Sequence, residues 1–283
     1  MSWRMRSRFS DSLDARHPSV HTRRQGSFSP PETPLSECRV SVCMATYNGE
    51  RFVREQLLSI LNQIGGDDEV VIVDDASIDH TVDIVEEMRD ARVRLFHNDV
   101  NQGHVRTFEN ALIYARGRIL MLADQDDVWP DDRVDLMVAA LERSDLVLGS
   151  IQILGAERGR RLVECSTTGI GMRNLVTILT GAAPYFGSAM AFSRTLCEVA
   201  LPFPSYVEAH DHWLGIVANV GFRVRHAEDV VLFRRLHDAN LTPRKPRRMG
   251  KILTTRARDV RSMIDAHRRC WRLGTRLRDA GNL

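Results

Sequence analysis

Lysine is nearly missing from this chain. Lys245 and Lys251 are the only two, and every other basic residue is arginine, a bias that points to a GC-rich genome more than to chemistry. Cysteine is sparse as well. Cys38, Cys43, Cys165, Cys197 and Cys270 are odd in number and far apart, with no CxxC pair. Neither a disulfide framework nor a zinc site is suggested by that spacing, and a reducing cytosol suits it best. No apolar run reaches the roughly 18–20 residues that cross a bilayer. Arginines stand near the N-terminus without an apolar signal core behind them. The expected location is therefore cytoplasmic. GxGxxG, GxxxxGK[ST] and GxSxG are also missing, which removes support for dinucleotide binding, a P-loop and a nucleophile elbow.

What is present suits one large domain with appendages: 283 residues, 43% of them apolar. The formal net charge of +2 conceals a strong asymmetry. Residues 1–36 carry six Arg against three acids, and residues 243–283 carry thirteen Lys or Arg against three acids. The stretch between them has 20 basic and 31 acidic residues, about −11 by count. Basic ends on an acidic middle suggest that the ends meet something anionic. Residues 1–36 are rich in Ser, Arg and Pro and show no helical or strand period, so disorder is expected there. The domain itself should run over 37–242, followed by a basic, helical tail over 243–283.

Within 37–242, short apolar runs alternate with amphipathic ones. Val40–Ala45, Glu69–Val73, Val93–Phe96 and Ile119–Leu122 read as buried strands. Helices are expected after the first, with Phe52, Val53, Leu57, Leu58, Ile60 and Leu61 on the apolar side, and again over 79–89 and 105–115. This order indicates an α/β fold whose mostly parallel central sheet is covered on both faces. Further on, 146–154, 188–192 and 230–234 read as strands. Helices are expected over 172–180, closed by Gly181-Ala182-Ala183-Pro184, from His210 through Val220, and over 254–277. Ligands of parallel sheets sit beyond the carboxyl ends of the strands. Three polar clusters fall there: Thr46-Tyr47-Asn48, Asp74-Asp75 and Asp124-Gln125-Asp126-Asp127.

Each cluster has a chemical and a bland reading. Hard divalent cations such as Mg²⁺ pair one or two carboxylates with substrate phosphates, which Asp124, Asp126 and Asp127 could supply. The same acids could instead make a solvated turn or cap the next helix, Asp127 above all. A carboxylate at Asp75 can accept a hydrogen bond from a pyrimidine imide, while Ser77 or Asp79 caps a helix. Tyr47 offers an aromatic face for a base, or is part of an ordinary turn. Asp211, between two histidines, could deprotonate a hydroxyl as a general base or cap its helix. His237 is a metal ligand or a histidine at the edge of the core.

Taken in order, these segments resemble glycosyltransferase family 2 enzymes of GT-A fold. Val40 to Glu50 looks like the first strand and nucleotide loop, and Glu55 to Gln63 like the helix after it. Val73 to Thr81 resembles the base-binding segment, and Asn101-Gln102-Gly103 the Asn-x-Gly turn beside the nucleotide. Ala123-Asp124-Gln125-Asp126-Asp127-Val128-Trp129 is similar to the DxD motif of bacterial rhamnosyltransferase-like members. His210 to Trp213 resembles the segment with the catalytic base, and Phe233 to Asn240 the one with a metal-side histidine. There are departures: Ala76 and Ile78 stand where Gly and Thr are usual, Phe233 where Tyr is common, and QxxRW is missing, which favours single addition over polymer synthesis.

The resemblance implies an inverting transferase. Its donor would be a UDP- or dTDP-sugar, with dTDP-rhamnose one candidate, and its acceptor a hydroxyl of a glycan or lipid-linked glycan in cell-surface polysaccharide synthesis. It implies Asp211 as base, and Thr46, Tyr47, Asn48, Glu50, Asp75 and Asn101 around the nucleotide. Asp124, Asp126 and His237 would hold Mg²⁺ or Mn²⁺. A non-catalytic nucleotide-sugar or glycan-binding module of the same fold is the competing reading. The tail over 244–278 either lies on an anionic membrane surface, on the inner face of the membrane, or packs on the core or on a second copy in a homodimer. Nucleic acid is not expected, because the core shows no basic patch with interleaved aromatics.

Overall fold

The computed structural model describes residues 38–155, 161–163, 171–180, 185–237 and 249–279. The disorder expected over 1–36, Cys165, the break at 181–184 and the start of the basic tail lie outside these residues.

Four parallel strands form the first half of one sheet: β1 (Val40–Thr46), β2 (Glu69–Asp74), β3 (Val93–His97) and β4 (Ile119–Asp124). β1 lies between β2 and β4, and β3 pairs with β2. The sheet continues through β5 (Leu146–Ile153), β6 (Arg161–Val163), β7 (Met190–Ser193) and β8 (Val224–Arg234), giving the order β3-β2-β1-β4-β7-β5-β6 with β8 on β5. β7 runs antiparallel to both β4 and β5, while β8 is parallel to β5. The expected mostly parallel sheet is thus present, with β6 and β7 as its antiparallel members.

Alternate residues of each inner strand point to opposite faces. Cys43, Val71, Val73, Leu120 and Leu122 join one core with α3 (His104–Tyr114), α6 (Arg194–Ala200), α7 (His210–Gly221) and part of α8 (Met249–Asp279). Val42, Met44, Val70, Ile72 and Met121 join the other with α1 (Val53–Leu61), α2 (Thr81–Glu87) and α4 (Arg133–Leu141). Each fully buried aliphatic side chain contributes about 1.5–3 kcal/mol. Burial on both faces is why these strands read as continuous apolar runs and not as alternating ones. α5 (Gly171–Thr180) packs on the same side as α7 through Ile178 and Leu175.

Several local expectations change. Leu58 is 47% exposed, and Gln56 takes a buried place on α1 instead. Gln56 donates to the main-chain oxygen of Asp124, so a polar side chain is needed where the helix meets the end of β4. The strand expected over 188–192 begins as a 3-10 turn, Gly187–Ala189, and becomes extended only at Met190. The last strand starts at Val224, six residues before expectation, because it pairs along the whole of β5. α8 is not a free tail: Ala266 is fully buried, and Met263, Cys270 and Leu273 pack against the core. Among the described residues, no helix is long and apolar enough to cross a membrane.

Candidate active site

The carboxyl ends of β1, β2 and β4 lie side by side, with Thr46 opposite Asp74 and Ala45 opposite Asp124 in the strand register. The loop after β1 is fixed from both sides. Gln125 accepts from the Tyr47 amide at 2.9 Å and donates to the Tyr47 carbonyl at 3.0 Å. Its side-chain amide lies 2.2 Å from where a Cβ on Gly49 would stand, so a larger residue at 49 would push Gln125 off the Tyr47 loop. Asn48 accepts from the Ile78 amide, and Glu50 accepts from the His80 amide. Tyr47 is left 46% exposed at the mouth.

The paired acids after β2 do different work. Asp74 is buried and accepts from Thr46 Oγ1 and from the hydroxyl and amide of Ser77. Thr46 is itself buried, and its hydroxyl is spent on Asp74. Asp75 is 3% exposed and accepts from Asn98 Nδ2 and the amides of Gln102 and Gly103, each at 2.8 Å. Asp75 therefore pins the Asn101-Gln102-Gly103 turn, and Asn101 sits exposed on it. Ala76 adopts φ 63°, the left-handed region that favours glycine.

The acid cluster is real in space. One oxygen each from Asp124, Asp126 and Asp127 lies within 4.8 Å of the others. Desolvation first, then the charge of Asp126, raises the Asp124 carboxyl to about 6. Desolvation followed by the charges of Asp124 and Asp126 raises Asp127 to about 8. Behind them lies Arg133, fully buried 3.8 Å over the Trp129 ring and donating to the carbonyl of Val231. Desolvation lowers its guanidinium to about 9. Three crowded hard oxygen donors held against their own repulsion match what a hard dication takes, so the residues fit the implied metal.

His237 joins this cluster from the far end of the chain. Val128 and Phe233 exchange two backbone hydrogen bonds, and the Arg235 amide donates to Asp127 at 3.1 Å. That short bridge carries His237 Nε2 to 2.7 Å from Asp126 Oδ2, with its ring stacked on Phe52. Of the two readings open for Asp127, the helix cap is not the one found: its carboxylate holds the segment after β8, and α4 has no side-chain cap.

Asp211 enters from the first turn of α7. Its oxygens accept from the amides of His212 (2.7 Å) and Gly187 (3.3 Å). The next residue, Ser188, lies beside Asp124 and its hydroxyl helps to hold that carboxyl down. The Gly187-Ser188 turn thus links the proposed base to the acid cluster, and the charge of Asp211 is felt at Asp124. Sequence reasoning missed this turn because it was hidden inside an apparent strand.

His210 is buried between Phe108, 4.1 Å away, and His104. Burial lowers its imidazole to about 4. The folded value lies below the unfolded one, so from pH 6.5 down to 4 the unfolded chain takes a proton that the fold refuses. Stability falls across that window, by about 3 kcal/mol in total. Melting temperature against pH should show a shallower acid loss for His210→Phe than for the unsubstituted chain. Equal slopes would mean that His210 is not held neutral.

The model of the family described as Glycosyl transferase family 2 matches residues 41–199. A UDP-Glc:α-D-GlcNAc-diphosphoundecaprenol β-1,3-glucosyltransferase of Escherichia coli, WfgD, is 29% identical over 122 residues, which cover 42% of this chain and 48% of that one. The chain therefore matches about half the length of that relative. S. aureus TarS 1–349 in complex with UDP-GlcNAc superposes with a TM-score of 0.63 at 22% identity, over 78% of this chain and 66% of that one. The mannosyltransferase PcManGT from Pyrobaculum calidifontis, in complex with GDP-Man and Mn²⁺, superposes with a TM-score of 0.55 at 22% identity, over 82% and 73%. At these identities the structures speak to the fold, and they show it to be GT-A.

Proposed function

The chain belongs to glycosyl transferase family 2, and on that premise we propose that it transfers a sugar, with inversion, from a nucleoside-diphosphate sugar to a glycan hydroxyl. The observation that carries this reading is the convergence of Asp124, Asp126, Asp127, His237 and Asp211 beyond the carboxyl end of β4, linked through Gly187-Ser188. A binding module has no use for a carboxylate placed beside a metal-binding cluster.

The nucleotide lies against the loop after β1. Tyr47 stacks on the base, and Asn48 and Glu50 shape the loop beneath it. Asn101 and the turn held by Asp75 close the other side. A carboxylate has about four acceptor positions, and Asp75 uses three on the protein, which leaves one for the imide N–H of uracil or thymine. The donor is then a UDP- or dTDP-sugar, dTDP-rhamnose among the candidates. The acceptor is a hydroxyl on a lipid-linked or polysaccharide glycan, the first of these being what the name of the Escherichia coli relative gives.

In the reaction Asp211 takes the acceptor proton as that oxygen attacks the anomeric carbon. The bond from this carbon to the diphosphate breaks, and the nucleoside diphosphate departs from the opposite face. Asp124, Asp126 and His237 would hold Mg²⁺ or Mn²⁺, which supplies Lewis-acid stabilisation of charge on the leaving diphosphate. Ser188 and Gly187 keep the two halves of the site in register, and Phe52 fixes the plane of His237.

A thermal-shift panel of UDP-, dTDP- and GDP-sugars, each with Mg²⁺, Mn²⁺ or chelator, tests the reading. Stabilisation should appear with the pyrimidine nucleotides and grow with metal. A ligand at 100 times its Kd stabilises by about 2.7 kcal/mol, which is well resolved. Stabilisation by GDP-sugars alone would remove Asp75 as a base reader, and no response to any donor would remove the transferase reading.

A further inference from the structure

α8 runs beside α7 in the same direction. His212 meets Asp259 at 2.9 Å near one end, and a Cβ on Gly221 would lie 2.5 Å from Cys270 Sγ near the other. The inner face is tied down further. Arg256 donates to Asp259 and to the Ile178 carbonyl, Arg269 donates to the Ala200 carbonyl, and Tyr206 donates to Asp265. Asp259 is consumed on this side, while Asp265, held by Tyr206, also pairs with Arg268 at 3.4 Å toward the flank.

The outer face has a different composition. Ten residues between 254 and 274 are exposed; none is acidic and four are Arg. Val260, Ile264 and Trp271 are 47%, 48% and 65% exposed. At 100° per residue they fall on one stripe, roughly 16 Å long from Val260 to Trp271. Arg261, Arg268 and Arg272 lie along one flank of it. With Arg269, Ser205, Tyr206 and Asp265 they line a groove of about 380 Å³ between α8 and the loop before α7.

We propose that this outer face of α8 docks the protein on an anionic lipid bilayer. The apolar stripe is short and ends in a tryptophan, whose amphipathic ring suits the headgroup level. It can enter only shallowly, since the opposite side of the helix is bound to the protein. The arginine-lined groove beside it receives lipid phosphates, because guanidinium groups match phosphate oxygens in planar, forked pairs. Segregation of charge selects this occupant. A second copy of the same face would bring arginine against arginine, whereas an anionic leaflet gains about fivefold in partitioning for each basic residue at its surface. The groove shares no residue with the acid cluster or Asp211, and the docking does not depend on the identity of the donor.

The test is flotation of the full chain with phosphatidylcholine vesicles, with and without phosphatidylglycerol. The chain should float with the anionic vesicles only, and rising salt should release it. Ile264→Glu/Trp271→Glu should lower partitioning by at least about tenfold, and Arg268→Ala/Arg272→Ala should remove the preference for anionic lipid. Both variants should keep the melting temperature and donor-induced shift of the unsubstituted chain. Three results would overturn the proposal: no flotation with anionic vesicles, undiminished flotation of the Glu variant, or a dimer in sedimentation velocity that the Glu variant dissolves.

Discussion

Asp211→Asn should lower kcat by roughly 10²–10⁴, the range general-base catalysis supplies, while the donor-induced thermal shift stays unchanged. Asp211 touches the protein through two backbone donors, the amides of His212 and Gly187. An Asn side chain keeps one acceptor oxygen for the first of these and loses only the 3.3 Å contact to Gly187. The fold and the donor side should therefore survive, and what disappears is the group that takes the acceptor proton. A loss in kcat with donor KM preserved is the signature of an interaction made only in the transition state. The neighbouring His210 cannot take over, because burial holds its imidazole at about 4 and its ring is packed against Phe108. Near-normal transfer by Asp211→Asn would move the base to another residue.

The second large effect is expected from Asp126→Ala. Metal-dependent donor stabilisation should vanish and kcat should fall by roughly 10²–10³, the usual loss when one stabiliser of transition-state charge is removed. The metal-free fold should respond in the opposite direction. Asp126 is one of the charges that raise Asp124 and Asp127 to about 6 and about 8, so deleting it relieves repulsion in the cluster. A melting temperature without metal that is unchanged or higher, together with a lost metal response, separates a ligand from a structural acid. The hydrogen bond to His237 is also removed, so His237→Asn should repeat the loss of metal response in weaker form. Undiminished metal-dependent donor binding by Asp126→Ala would overturn the assignment.

The parallel half of the sheet was legible because each of its strands is buried on both faces. Val40–Thr46 and Glu69–Asp74 have no solvent side to blur the pattern, and the polar clusters start where the apolar runs stop. Elements with mixed environments were harder to read. Gln56 and Leu58 exchange their expected places because the loop end at Asp124, not hydropathy, decides which side of α1 needs a hydrogen-bond donor. α6 and the short strand β6 gave no signal of their own, being short segments that tertiary contacts hold.

The candidate site divides in the same manner. Residue type and position at strand ends, together with family resemblance, were enough to nominate Asp75, Asp124, Asp126, Asp211 and His237, because chemistry restricts which side chains can hold a dication or take a proton. Their partnerships were not encoded locally. Asp127 was open between the cluster and a helix cap, and its carboxylate accepts from the Arg235 amide, 108 residues away. Ser188 stands beside Asp124 only because β7 lies against β4. The tail was open between membrane and core, and the structure gives it one face for the core and another for solvent. By itself the sequence determined which groups the protein has and which segment carries each. Tertiary structure alone decided which of them meet, since contacts between residues a hundred positions apart depend on strand order and register, and a pattern with a period of two or 3.6 residues carries neither.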